Sequence, residues 1–227
     1  EAPTDLADRS LFQQTFEVAI KANPGKYLFL QAGHGLGKTT FCRTYRPMDP
    51  GLLNVGAYCV YEPGGVFTPV HRAQPDVFFD WLLTTATDLL TGKGARKEKR
   101  SYSQLATETV QLLRLLAEHA GKNGKHAVIY VDGLNEASDA GDGVLGSLLG
   151  VLPMTLPPHL TVVLTAPNFD LIAPQLGGRV RSDNVHALPP LTRTASTNYC
   201  RHRLLRALDN PSLVDRICDK AAGHPLY

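Results

Sequence analysis

The sequence predicts an α/β fold, a doubly wound parallel sheet of five strands with helices on both faces, followed by the start of a C-terminal helical subdomain. Two observations predict it. Short apolar runs that suit buried strands alternate with helical patterns as far as residue 191. From Thr192 onwards the pattern is helical only. We therefore expect one domain over residues 1–191 and the truncated start of a helical subdomain over residues 192–227.

A helix and a strand are predicted at the start of the chain. Apolar residues recur along one helical face at Phe12, Phe16 and Ile20, and Ser10 is a candidate N-cap. The Asn-Pro-Gly turn at residues 23–25 ends this helix. Residues 26–31 then form the first strand, because they are mostly apolar and lie between two turn signals.

The remaining strands are predicted at residues 54–61, 126–132, 160–165 and 184–188. The run 126–132 is apolar almost throughout, which is typical of a strand that is covered on both faces of a parallel sheet. Between the second and third strands, a helical stripe follows Pro75, and Ser101 with Gln104 forms a capping box at the start of a long helix.

The last part of the chain is predicted to contain two helices. Thr192 or Thr194 caps the first, which is basic and amphipathic. The second begins at Pro211, since proline suits the first turn of a helix, and ends at Gly223 in the left-handed conformation.

Residues 32–39 fit the phosphate-binding pattern G-x-x-x-x-G-K-[ST], with Ala32 in the position of the first glycine. Such a loop presents a run of backbone N–H groups to an anion, and we expect positive φ angles at its three glycines. Lys38 would contact the terminal phosphates and assist catalysis, and the Thr39 hydroxyl would lie on Mg²⁺. The predicted nucleotide-binding residues here are Gly33, His34, Gly35, Leu36, Gly37, Lys38, Thr39 and Thr40.

A second motif follows the predicted strand at residues 126–132. Asp132 stands at the carboxyl end of that strand, where parallel α/β sheets place their ligand chemistry. We expect Asp132 to join Thr39 as a partner of Mg²⁺, either directly or through water. Glu136 is the candidate that polarises the attacking water. The alternatives are that Asp132 caps a helix and that Glu136 is an acid of the loop with no catalytic role.

Composition narrows the range of possible partners and cellular locations. With 227 residues, 43% of them hydrophobic, the chain can bury one sizeable core. A formal net charge of +2 gives no argument for nucleic acid or an anionic membrane, and we expect neither as a partner. The four cysteines are widely spaced without a C-x-x-C pair, which favours reduced thiols and a cytoplasmic location.

Three separated segments together resemble one family. They are residues 32–40 (AGHGLGKTT), residues 128–136 (VIYVDGLNE) and residues 223–226 (GHPL). The chain resembles the nucleotide-binding module of STAND NTPases, which are P-loop NTPases of the ASCE type, and it is nearest to the NACHT-like and bacterial members. In that family the second segment reads as a strand followed by D-G-h-D-E. Asp132 and Glu136 match the outer acids, whereas Asn135 replaces the middle one.

The resemblance implies further site residues and a switch. Pro225 matches the family's G-x-P motif, which packs near adenine, and Arg9 matches the arginine of its h-h-G-R motif. The cofactors would be ATP or ADP with Mg²⁺, and ATP favours an open, oligomerising state with slow hydrolysis. The partners would be effector and sensor domains outside this chain, as in signalling or anti-phage defence, and further copies of the protein. No N-K-x-D-like guanine motif is present, which favours adenine.

Other interpretations stay open at this point. A nucleic-acid-stimulated AAA+-like ATPase or loader shares both phosphate-site motifs but needs basic pore or groove residues. A P-loop kinase needs a mobile lid that carries arginines, and a scaffold could retain a vestigial site. Arg179 or Arg181 could act as a finger on a neighbour's nucleotide, although surface arginines are commoner. The basic residues within 92–100 suit a solvated loop better than a nucleic-acid contact.

Overall fold

A parallel sheet lies at the centre of the structure, a computed structural model that describes residues 8–62, 64–93, 99–203 and 211–224. Its order within these residues is β2-β3-β4-β1-β5, and all neighbouring strands run parallel. The predicted five-stranded sheet is confirmed, with strand ends that differ from the prediction by no more than two residues. The strands are β1 (Tyr27–Gln31), β2 (Leu52–Cys59), β3 (His126–Asp132), β4 (Leu160–Ala166) and β5 (Val185–Ala187).

Helices cover both faces of the sheet, which confirms the doubly wound α/β fold. Among the described residues no helix is long and apolar enough to cross a membrane. The helices are α1 (Ser10–Ala22), α2 (Lys38–Thr44), α3 (Pro69–Arg72), α4 (Pro75–Thr91), α5 (Tyr102–Lys122), α6 (Leu134–Asp139), α7 (Val144–Gly150), α8 (Phe169–Ile172), α9 (Arg193–Arg203) and α10 (Pro211–Ala221).

Successive residues of each strand point to opposite faces of the sheet and pack into different core clusters. Leu28 and Leu30 of β1 pack into a cluster with Phe16 of α1 and Phe41 of α2. Tyr27 and Phe29 point to the other face, where they join the larger cluster that includes residues of α4 and α5. This alternation follows from the two-residue period of a strand. Every residue of β3 is buried, as its apolar pattern predicts.

Strand order determines where the candidate site lies. β4 lies between β1 and β3 and pairs with both. Because the strands are parallel, the loop after β1 and the residues after β3 emerge at the same edge of the sheet.

Of the three N-caps that the sequence predicts, two form. Ser101 and Gln104 form the predicted capping box, and Thr192 Oγ1 accepts a hydrogen bond of 3.1 Å from the amide of Ala195 at the start of α9. Ser10, by contrast, does not cap α1. It is the first helical residue, and its amide donates a 2.9 Å hydrogen bond to Oδ1 of Asp8.

Glu17 is a buried carboxylate that fixes α1 to the loop after α2. Its side chain is 3% exposed. Oε1 accepts hydrogen bonds from the Gln13 amide group, the Tyr45 hydroxyl and the backbone amide of Met48, and Oε2 accepts one from the amide of Asp49. These donors satisfy a charge that would otherwise be costly to bury.

The segment between β5 and α9 is held at several points. The amide of Leu188 donates to the carbonyl of Gln31 at 2.8 Å, and the amide of Leu191 donates to the carbonyl of Gly223 at 2.9 Å. Gly223 has the predicted positive φ, 83°. α9 and α10 share a small apolar cluster of their own, built on Cys200, Val214 and Cys218. The domain boundary at residues 191 and 192 stays a prediction.

Candidate nucleotide-binding site

The loop between β1 and α2 has the conformation that its glycines permit. Gly35 and Gly37 have φ angles of 78° and 82°, in the left-handed region that glycine adopts without strain. Gly33 does not, so the expectation of a positive φ there was wrong. A Cβ at Gly33 would only meet Leu36 Cδ1 at 3.8 Å, an ordinary contact.

Lys38 begins α2 and points back across the loop. Its Nζ donates a 2.8 Å hydrogen bond to the carbonyl of Ala32. Burial lowers the pKa of Lys38 from its ordinary value, and the negative charge of Asp132 partly opposes this shift. A bound phosphate would add a second anion beside the ammonium group and would stabilise its charged form.

Thr39 and Asp132, which are 93 residues apart in the chain, are hydrogen-bonded to each other. The Thr39 hydroxyl donates to Oδ2 of Asp132 at 2.6 Å. On the other side of the carboxylate, the hydroxyl of Thr165 on β4 donates to Oδ1, and Thr165 itself accepts a 3.2 Å hydrogen bond from the amide of Gly133. The Asp132 side chain is therefore held by Thr165 of β4 on one side and by Thr39 at the start of α2 on the other.

Glu136 reaches the same edge of the sheet because the chain turns sharply after β3. Gly133 has a φ of 87°, and α6 starts directly after it. The amide of Glu136 donates a 3.0 Å hydrogen bond to the carbonyl of Gly133. Asn135 Nδ2 donates to Oε1 of Glu136 at 3.2 Å. The turn thus places a second carboxylate close to the one that ends the strand.

A cleft of about 770 Å³ brings most of the predicted site residues together. Leu36 is not among its lining residues, since its side chain packs in the core cluster of α1 and α2. Pro225 lies outside the described residues. The predicted residues that line the cleft are Arg9, Gly33, His34, Gly35, Gly37, Lys38, Thr39, Thr40, Asp132 and Glu136.

Sequence reasoning missed several residues at the site, among them two tyrosines and a threonine. Tyr61, which follows β2, and Tyr199 of α9 both line the cleft, and Thr165 holds Asp132. A threonine near the carboxyl end of a mostly apolar strand is a signal that could have indicated Thr165. The positions of the two tyrosines depend on how α9 and the end of β2 pack, which local sequence does not encode.

Arg9 lines the cleft and joins two segments of backbone. One guanidinium nitrogen donates to the carbonyl of Pro189 and another to the carbonyl of Leu36, each at 2.5 Å. The residue thus connects the phosphate loop with the segment that leads into α9.

The two arginines considered as fingers lie away from the cleft. Arg179 donates hydrogen bonds to the carbonyls of Leu149, Leu152 and Leu176, which gives it a packing role within this chain. Arg181 is exposed and forms an ion pair with Asp183 at 3.6 Å.

The oxygen atoms of Thr39 and Asp132 fit a Mg²⁺ ion. Among the described residues no group of three or more His, Cys, Asp or Glu side chains could hold a metal alone. Mg²⁺ in nucleotide sites commonly takes only one or two protein ligands and completes its shell with phosphate oxygens and water. A hydroxyl and a carboxylate whose oxygens lie 2.6 Å apart supply that kind of ligand set.

No protein-family model and no curated protein matches this chain.

Comparison of structures identifies the fold. The chain is similar to the Aeropyrum pernix ORC1 protein in complex with DNA, with 15% identity and a TM-score of 0.57 over 97% of this chain. It is also similar to a Walker-type ATPase of Pyrococcus abyssi, with 16% identity and a TM-score of 0.58 over 97% of this chain. A third similar structure is Drosophila ORC bound to DNA, with 16% identity and a TM-score of 0.55 over 99% of this chain. The chain spans 56%, 65% and 54% of these three proteins, respectively. At this identity the likeness concerns the fold, and this chain therefore has the α/β fold of the P-loop ATPases.

Proposed function

We propose that this chain is the ATP-binding module of a larger protein and that it hydrolyses ATP slowly with Mg²⁺. The observation that carries the proposal is the hydrogen bond between Thr39 and Asp132, in a cleft that also holds Lys38 and Glu136. A hydroxyl, a carboxylate and an ammonium group beside a glycine loop are the groups that phosphoryl-transfer sites use.

Each residue of the site has a distinct role in this proposal. The loop from Gly33 to Gly37 surrounds the phosphates, and Lys38 neutralises the terminal ones. Thr39 and Asp132 hold Mg²⁺, which when bound offsets negative charge on the phosphate oxygens. Glu136 accepts a hydrogen bond from the attacking water and orients it toward the γ-phosphate.

Two measurements on the purified chain test this proposal. Calorimetry is expected to show ATP binding that weakens when EDTA removes Mg²⁺, and Glu136→Gln is expected to retain that binding while hydrolysis slows by about 100-fold or more. Equal hydrolysis by Glu136→Gln and the wild type would remove Glu136 from the mechanism. Failure of the wild type to bind either ATP or ADP would refute the proposal itself.

For the larger role, the structural neighbours favour a nucleic-acid-stimulated AAA+-like ATPase or loader. Two of them were solved with DNA. Our sequence-based expectation that nucleic acid is not a partner therefore has no support. The second candidate is the STAND-type switch of a signalling or defence protein, which is favoured by the spacing of Asp132 and Glu136 and by the D-G-L-N-E segment.

One pair of experiments separates these roles. The AAA+-like role predicts that duplex DNA raises the hydrolysis rate and that rising salt removes this stimulation steeply. The switch role predicts a hydrolysis rate that does not change when DNA is added and a nucleotide that co-purifies with the protein. It also predicts ATP-dependent oligomers in light scattering when the flanking domains are present.

A further inference from the structure

We infer that Asn135 is a positioning residue that orients the carboxylate of Glu136. The inference rests on the proposed function, because it concerns the group to which that proposal assigns the attacking water. The observation behind it is the 3.2 Å hydrogen bond from Nδ2 of Asn135 to Oε1 of Glu136.

The geometry of a helix makes this contact informative. Consecutive side chains on a helix do not face each other, since each residue turns the chain by about 100°. Asn135 and Glu136 are consecutive residues in the first turn of α6, yet their side chains meet. The Asn135 amide has therefore turned toward the carboxylate.

Both residues are placed where such an orientation matters. Each is half-buried and lines the cleft that contains Thr39 and Asp132. The hydrogen bond engages Oε1 of Glu136 and leaves Oε2 available for a water molecule. A carboxylate with one oxygen fixed loses less freedom when it aligns that water, which is how a supporting residue contributes to a reaction rate.

This role requires a hydrogen-bond donor in the side chain of residue 135. An amide can donate a hydrogen bond to a carboxylate, whereas an aspartate at neutral pH is an acceptor only. An aspartate at this place would put a second negative charge beside Glu136 and would repel its carboxylate. We conclude that asparagine supports Glu136 here and that aspartate would not.

Single-turnover hydrolysis and calorimetry on three variants test the inference. Asn135→Ala is expected to bind ATP as the wild type does and to hydrolyse it about tenfold more slowly or worse. Asn135→Asp is expected to be at least as slow as Asn135→Ala. Asn123→Ala is the matched control, because Asn123 is exposed and precedes β3 instead of following it. This variant should keep the wild-type rate.

A double-mutant cycle separates positioning from a purely structural effect. If Asn135 acts through Glu136, then Asn135→Ala should have no further effect on the rate in a Glu136→Gln background. An equal loss of rate in both backgrounds overturns the inference, as does an Asn135→Asp variant that is faster than the wild type. Hydrolysis by the wild type with an unchanged Asn135→Ala rate overturns the inference alone. Absence of hydrolysis by the wild type overturns the proposed function as well.

Discussion

The hydroxyl of Thr165 donates a hydrogen bond to Oδ1 of Asp132, so that β4 holds the carboxylate that β3 carries. Thr165 also accepts a hydrogen bond of 3.2 Å from the amide of Gly133. It is completely buried, at 0% exposure. A single hydroxyl thus satisfies one carboxylate oxygen and one backbone donor at the point where the strand turns into α6.

Thr165→Val should therefore lower both stability and metal-dependent binding. The substitution leaves the buried amide of Gly133 without its acceptor, and we expect the free energy of unfolding to fall by about 1–3 kcal/mol in urea titrations. The Mg²⁺-dependent part of ATP affinity should weaken by about tenfold in calorimetry, because Asp132 loses one of its restraints.

The matched control for that variant is Thr109→Val. Thr109 lies on α5 and is also 0% exposed, but its hydroxyl has no hydrogen-bond partner within the described part of the chain. The same substitution there removes an unsatisfied polar group, so the free energy of unfolding should stay unchanged or rise by up to about 1 kcal/mol. Equal losses at both positions would show that the hydrogen bonds of Thr165 are not the cause.

Lys38→Ala should remove most of the ATP affinity. The Lys38 ammonium group lies in the cleft beside the glycine loop, and its loss leaves phosphate charge uncompensated there. We expect the dissociation constant from calorimetry to rise by about 100-fold or more, which corresponds to roughly 2.7 kcal/mol. Lys26→Ala is the control, because Lys26 lies at the opposite end of β1 and contacts Asn23. An unchanged affinity in Lys38→Ala would contradict the assignment of the loop.

Glu17→Gln should destabilise the fold. The carboxylate accepts hydrogen bonds at both oxygens, from donors that include the amides of Met48 and Asp49. An amide nitrogen in place of either oxygen would face another donor. We expect the free energy of unfolding to fall by about 1–3 kcal/mol in chemical denaturation. A stability equal to that of the wild type would show that the loop can rearrange around the new side chain.

Stability should fall as the pH drops below about 6.5, partly because of His126. Burial, with a smaller contribution from the charge of His159, lowers the pKa of His126 from 6.5 to about 4. In this pH range the unfolded chain binds a proton at His126 that the folded chain does not, so the stabilisation is complete above about 6.5 and is lost on the way to about 4. We expect this group to contribute roughly 1–2 kcal/mol, which is less than the full linkage value.

Urea titrations of the wild type and of His126→Gln at several pH values check this direction of the pH dependence. The glutamine keeps a polar group beside Thr161, whose hydroxyl forms a 2.8 Å hydrogen bond with the His126 ring. Burial also lowers the pKa of His186, so the variant should retain part of the pH dependence. A wild type and a variant with identical pH profiles would remove His126 as a cause.

The strands could be predicted from sequence because each is an apolar run between turn signals. β3 was predicted to the residue, since a lysine precedes it and Asp132 with Gly133 ends it. The prediction for β2 was displaced by two residues at each end. The pairing of β2 with β3 also has an irregular register between Asn54 and Gly56 that the sequence did not indicate. Such a bulge depends on tertiary packing, here against Trp81, and periodicity does not reveal it.

The site was predictable only where a local pattern carries chemistry. The loop and the strand ending in Asp132 match known patterns, so the proximity of Thr39 and Asp132 could be expected before any coordinates. Thr165 contacts Asp132 because β4 lies between β1 and β3, which is a property of strand order. Likewise, Ser10 is the first residue of α1 instead of its cap, and its amide donates a hydrogen bond to Asp8; this arrangement depends on where the first turn begins.

Arg9 couples the position of the phosphate loop to the position of the segment before α9. One planar guanidinium group binds the carbonyl of Leu36 in the phosphate loop and the carbonyl of Pro189 ahead of α9. Because the group is rigid, neither carbonyl can move far relative to the other without the loss of a hydrogen bond. A ligand that displaces the loop would therefore also shift the segment that leads into α9 and α10. A displacement of these two helices would in the same way be transmitted to the loop.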